Sequence, residues 1–137
     1  MIGILIVTHQ QLGDALIDAA KFIFGHLPEA TQAVSIDINE NAEKLRSKIK
    51  NAIKKVNSHQ GVLIMTDMFG GTPSNLSYSF LEEGRVEVIS GVNLPILIKA
   101  VSARKSNSLS ELAEQLETYG KRSISLASGI LRGNKRT

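Results

Sequence analysis

Residues 1–25 read MIGILIVTHQQLGDALIDAAKFIFG, and a change of period inside them decides the fold. Residues 2–7 (IGILIV) form an unbroken apolar run of strand length, the pattern of a strand covered on both faces. From Leu12 the spacing changes to i, i+4, i+7, i+8, i+11, with Leu12, Leu16, Ala19, Ala20 and Ile23 on one face of a helix that stops near Gly25. A buried strand feeding directly into an amphipathic helix is the first half of a parallel β-α unit.

The same alternation continues outward. Pro28 marks a turn, residues 32–38 (QAVSIDI) read as a second strand, and Asn39 or Asn41 caps a helix with the stripe Ala42, Leu45, Ile49, Ala52/Ile53 and Val56. Residues 62–66 (VLIMT) form a third apolar strand, residues 73–81 a short helix and residues 86–90 (VEVIS) a fourth strand. Helical patterns over 95–103 and 109–119 follow. In residues 123–128 (SISLAS), Ile124 and Leu126 alternate with polar neighbours, which predicts an edge strand with one wet face. The expectation is a single α/β domain over residues 1–128, with an open, mainly parallel sheet in the flavodoxin-like order 2-1-3-4 and helices on both faces. A flexible basic tail over 129–137 completes the chain.

Composition narrows the function. The 137 residues include no Cys and no Trp, are 42% hydrophobic and carry a formal charge of +3. That excludes a disulfide scaffold, a thiolate metal site and a Cys nucleophile. No apolar run approaches the ~20 residues needed to cross a bilayer, and no basic leader precedes the first strand, so a cytoplasmic protein is expected. The charge is unevenly spread. All 13 acidic residues lie in 1–120, whereas Lys121, Arg122, Arg132, Lys135 and Arg136 follow with no acid between them. No aromatic residue is interleaved with those cations, so nucleic acid is not an expected partner.

In an open α/β sheet of this order, ligands bind outside the carboxyl ends of strands 1 and 3. After strand 1 come Thr8 and His9; after strand 3 come Asp67 and then MFGGTPSN. A carboxylate holding one imidazole nitrogen fixes the tautomer and leaves the other nitrogen free to act as a nucleophile. Gly70 and Gly71 let the backbone approach a ligand, while Thr72 as N-cap and Pro73 as the first helical residue place a helix N-terminus at the site, where an anion is favoured. His26 and His59 follow helices and belong to the opposite edge of the sheet. With no HxxxH, Walker or GxGxxG pattern, no metal, nucleotide or other cofactor is expected. A nucleophilic His9 oriented by Asp67 and facing a Gly70, Gly71 and Thr72 cradle points to phosphoryl transfer through a phosphohistidine, with another phosphoprotein as donor.

Three separated motifs carry a family resemblance: IGILIVTH ending at His9, DMFGGTPSN from Asp67 to Asn75, and ISGVNLPIL from Ile89 to Leu97. Together they resemble the mannose-family EIIA domain of the bacterial phosphoenolpyruvate:sugar phosphotransferase system. The resemblance implies that His9 takes a phosphoryl group from phospho-HPr and passes it to an EIIB protein, that Asp67 bonds the imidazole, and that Thr72 stands where the family carries Ser or Thr. It further implies a homodimer that exchanges its last strand, with contact to the membrane components EIIC and EIID only through EIIB. One departure is Gln10, where the family usually has a small residue, often Gly.

Two other readings stand beside this one. The phosphotransfer subunit of dihydroxyacetone kinase shares the chemistry, although its loop reads more like GSA than Gly71-Thr72-Pro73. A non-catalytic module sensing phosphate at the helix end would bind reversibly without modifying His9. Transport and purely regulatory phosphocarriers use the same residues, and the chain names no sugar.

Overall fold

The computed structural model describes residues 1–133. Four strands, β1 (Gly3–His9), β2 (Thr31–Ile36), β3 (Val62–Thr66) and β4 (Val86–Ser90), form one sheet in the order β2-β1-β3-β4, with every neighbouring pair parallel. The two central strands are almost entirely buried, which is why they read as solid apolar runs. Helices α1 (Leu12–Phe24), α4 (Leu94–Ala103) and α5 (Leu109–Arg122) cover one face, and α2 (Ala42–Val56) and α3 (Thr72–Tyr78) the other. One core joins Ile4, Ile6, Leu63 and Met65 to Leu97 and Leu112, and the second joins Leu5, Val7 and Ile64 to Leu45 and Ile49. The odd and even residues of each central strand thus serve opposite layers.

Local chemistry sets the helix limits. Asn41, and not Asn39, caps α2, accepting the Lys44 amide at 3.0 Å. Gly25 stops α1 in the left-handed conformation, and Ser108 with Glu111 forms a reciprocal capping box on α5. The buried face of α1 is Gly13, Ile17 and Ala20, turned about one residue from the expected stripe, so that Leu12 and Ile23 are exposed. Gly13 explains the rotation. A Cβ there would lie 3.2 Å from both Ala33 Cβ and Ile6 Cγ2, so its bare backbone is the face that beds onto the sheet.

The C-terminal expectation is corrected. Among the described residues there is no fifth strand: α5 runs on to Arg122, residues 124–126 are irregular, and Ala127–Leu131 forms a short helix, α6, where an edge strand and then a tail were expected. Alternation of apolar and polar side chains becomes a strand only where a neighbouring edge supplies a ladder. Here the local hydrogen bonds turn back into helices, Ser123 N–H to Gly120 O and Gly129 N–H to Leu126 O. Ile124 and Leu126 are 84% and 74% exposed. Lys135 and Arg136 of the basic tail lie outside the described residues.

Candidate functional site

The order β2-β1-β3-β4 makes β1 and β3 neighbours, so their carboxyl ends deliver His9 and Asp67 to one edge of the sheet. Asp67 Oδ2 accepts two hydrogen bonds from the same residue, from the His9 amide at 2.9 Å and from the imidazole Nδ1 at 2.8 Å. Its Oδ1 accepts the Met68 amide at 3.0 Å. Burial alone raises the Asp67 pKa, but the His9 amide, the imidazole hydrogen bond and the imidazolium charge together carry it below the ordinary 3.8. An ionised carboxylate only accepts, so in neutral His9 the Nδ1 atom must hold the proton and Nε2 presents its lone pair. The His9 side chain is 37% exposed and that of Asp67 only 11%: the ring reaches solvent while its anchor is largely buried.

The loop after β3 lies against that ring. A Cβ on Gly71 would sit 2.9 Å from His9 Cε1 and 3.5 Å from Nε2, so the imidazole packs into the space that a side chain would take. Gly70 adopts φ +87°, a turn conformation that favours glycine. Its amide donates to Ser74 Oγ at 3.1 Å, and the Ser74 hydroxyl donates to Gly71 O at 2.9 Å. Buried Ser74 therefore clasps both glycines, a role that the sequence did not reveal. The one available signal is a Ser placed three and four residues after the pair.

The helix begins one residue earlier than expected. Gly71, not Thr72, is the N-cap of α3, because its backbone is extended (φ −89°, ψ 171°) and its carbonyl accepts the Asn75 amide at 3.0 Å. Thr72 then occupies the first helical position and Pro73 the second. The helix also ends sooner, at Tyr78, where the Ser79 hydroxyl donates back to Leu76 O. Because Gly70 has given its amide to Ser74, Gly70 contributes the turn. The Gly71 amide and those of Thr72 and Ser74 at the start of α3 have no intrahelical acceptor, and Pro73 has no N–H to satisfy. Thr72 is exposed at the same edge.

Leu12, Met68 and Phe69 stand exposed on the segments that flank His9 and Asp67. The other histidines are not brought to the site: His26 precedes β2 and His59 precedes β3, at the amino-terminal edge. Among the described residues no group of three His, Cys, Asp or Glu side chains is placed to hold a metal, and no helix is long and apolar enough to cross a membrane.

Known proteins share this architecture. The family model EIIA-man, described as PTS system fructose IIA component, matches residues 3–117. The PTS system fructose-specific EIIA component of Bacillus subtilis is 32% identical over 131 residues, covering 93% of this chain and 88% of that protein. The PTS system mannose-specific EIIAB component of Escherichia coli is 34% identical over 104 residues, 75% of this chain but only 32% of that protein. A crystal structure of the phosphotransferase system component EIIA from Streptococcus agalactiae superposes with a TM-score of 0.83 at 26% identity, covering 93% of this chain and 98% of that one. A family match over most of the domain, with a relative aligned nearly end to end, identifies this chain as a member of the EIIA-man family of PTS EIIA components.

Proposed function

We propose that this chain is a phosphohistidine carrier, in which His9 Nε2 takes a phosphoryl group from phospho-HPr and hands it to a separate EIIB protein. The observation that carries the proposal is the 2.8 Å bond from His9 Nδ1 to Asp67, which leaves Nε2 free on a half-exposed ring beside Gly71. In the first transfer, the Nε2 lone pair forms a P–N bond as the donor's P–N bond breaks. The imidazole becomes positively charged, and Asp67, still ionised, offsets that charge through Nδ1–H. The amides of Gly71 and Thr72, with the Thr72 hydroxyl, face the phosphoryl oxygens, and Gly70 shapes the turn that aims them. Reversal of the step toward the EIIB acceptor completes the cycle. Exposed Leu12, Met68 and Phe69 give both partners an apolar surface around the reacting nitrogen.

Residues 1–128 constitute the carrier domain in this reading, and two copies associate through the C-terminal segment. The exposed Ile124 and Leu126 are its contact residues, and exchange of that segment onto the partner's β4 edge would supply the ladder it lacks in one chain.

Intact-mass spectrometry after incubation with phosphoenolpyruvate, Enzyme I and HPr tests the reading. An acid-labile gain of one phosphoryl group, absent from His9→Ala, is expected. No gain with an active donor set removes the carrier function and leaves reversible phosphate binding. A gain retained by His9→Ala places the acceptor elsewhere.

A further inference from the structure

The turn that carries His9 is built around a single buried hydroxyl. Thr8 is fully buried, and its Oγ1 accepts the amide of Gly13 at 2.9 Å while its proton points to Gln10 O, a longer contact of 3.4 Å. Gly13 is itself buried, and it belongs to the first turn of α1. That helix starts without a conventional cap, because Gln11 lies at φ −96°, ψ 20° and makes no side-chain cap hydrogen bond. Thr8, five residues before Gly13 and outside the helix, serves an orphan amide that Gln11 leaves unserved. Between them the chain passes through Gln10 at φ +51°, a left-handed conformation uncommon for a side chain of this size. Such a residue stays there only when its surroundings hold it.

Two anchors hold the strained residue. The Gln10 amide donates to Ile36 O of β2 at 3.1 Å, and its carbonyl faces the Thr8 hydroxyl. His9 lies between Thr8 and Gln10, and its amide and ring are both tied to Asp67 across the β1–β3 seam. The backbone that aims the imidazole is therefore fixed by Asp67 on one side and by the Thr8 hydroxyl on the other. From this arrangement we infer that Thr8 is a positioning residue for phosphoryl transfer. Its hydroxyl holds the turn after His9 so that Nε2 meets the phosphorus in line, and it touches neither the phosphoryl group nor the ring.

The inference rests on the phosphocarrier reading, and its test keeps the two apart. Wild type, Thr8→Val, Thr8→Ser, Gln10→Gly and the Thr8→Val/Gln10→Gly double variant are phosphorylated by the phosphoenolpyruvate, Enzyme I and HPr set at graded HPr concentrations. Valine keeps the shape of threonine and removes the hydroxyl, leaving the Gly13 amide without its acceptor. The expected result is a fall of about tenfold or more in kcat, the scale at which small misplacements slow in-line reactions, with KM for phospho-HPr nearly unchanged. Thr8→Ser, which restores the hydroxyl, returns kcat to within about twofold of wild type. The ring-nitrogen NMR shifts of His9 report loss of the single Nδ1–H tautomer in Thr8→Val and its retention in Thr8→Ser.

Glycine at position 10 adopts the left-handed turn without strain, so the loss caused by Thr8→Val should be smaller in the Gln10→Gly background. That background also supports folding if Thr8→Val alone is too unstable to assay. Wild-type kcat in a folded Thr8→Val protein overturns the positioning role, as does an equal loss in both backgrounds or a Thr8→Ser variant as slow as Thr8→Val. Failure of wild type to accept phosphate is a different result and removes the carrier reading itself.

Discussion

Gly71→Ala is the sharpest test of how the site is packed. Its backbone, at φ −89° and ψ 171°, is one that alanine adopts freely, so the substitution introduces no conformational strain. The added Cβ instead lands 2.9 Å from His9 Cε1 and 3.5 Å from Nε2, with Met68 Cγ also at 3.5 Å. Ordinary carbon contacts settle near 3.5–4.0 Å, so the ring must retreat by roughly 0.6–1.1 Å or the start of α3 must move away. The ring is the softer partner, since it is partly exposed, but retreat stretches the 2.8 Å bond to Asp67. A hydrogen bond to a charged group contributes about 1.5–3 kcal/mol, and partial loss of it is offset by the ~0.4–1 kcal/mol that removing a glycine gains through the unfolded chain. Stability should therefore change by no more than about 1–2 kcal/mol. Phosphoryl acceptance should fall about 100-fold, because the nucleophile has left its line of attack. Gly70→Ala is the control: nothing lies within 4 Å of its Cβ, but φ is +87°, so it should cost about 1 kcal/mol of stability and leave the His9 ring signals in place. The assay is the initial rate of labelling from phospho-HPr, paired with urea unfolding. A Gly71→Ala protein that is phosphorylated at the wild-type rate, with unshifted His9 resonances, would refute the packing argument.

Other expectations follow from the same geometry. Asp67→Asn should fold and accept phosphate at least tenfold more slowly, because an amide can also donate and no longer enforces Nδ1–H; equal rates would remove Asp67 from the mechanism. The folded-state pKa of Asp67 is lowered, so its stabilising contribution is complete above the ordinary 3.8 and is lost as pH falls through the lower folded value. Wild type and Asp67→Asn should accordingly converge in urea stability toward strongly acid pH, and a constant gap between them would contradict this. Gln10→Gly should raise stability by about 0.5–1 kcal/mol by relieving φ +51°, read from the urea midpoint, whereas a loss would show that the Gln10 side chain makes compensating contacts. Truncation after Ser123 keeps α5 whole and removes Ile124, Leu126, Ile130 and Leu131; sedimentation should show a dimer for the full chain and a monomer for the truncated one, and a truncated dimer would place the contact elsewhere.

The amino-acid sequence determined the sheet and the place where chemistry can occur. Solid apolar runs at β1 and β3, with helical spacing between strands, marked a parallel α/β sheet with right-handed crossovers, for which 2-1-3-4 is one of the common orders. That order alone brought His9 and Asp67 together, and the three motifs carried the family. Tertiary structure decided what depends on close approach. Gly13 beds α1 onto the sheet and so turned the buried stripe by about one residue. Gly71 rather than Thr72 begins α3, because which carbonyl accepts the first helical bond depends on backbone angles that neighbouring residue types do not specify. Ser74 and Thr8 were silent in the sequence for the same reason: a serine or threonine near a turn has many possible partners, and only the folded backbone selects one. At the C-terminus, Ile124 and Leu126 carry the pattern of a strand, but a pattern states which side chains want burial. Whether they find a ladder depends on which edge lies beside them, and within one chain the hydrogen bonds of that segment close into helix instead.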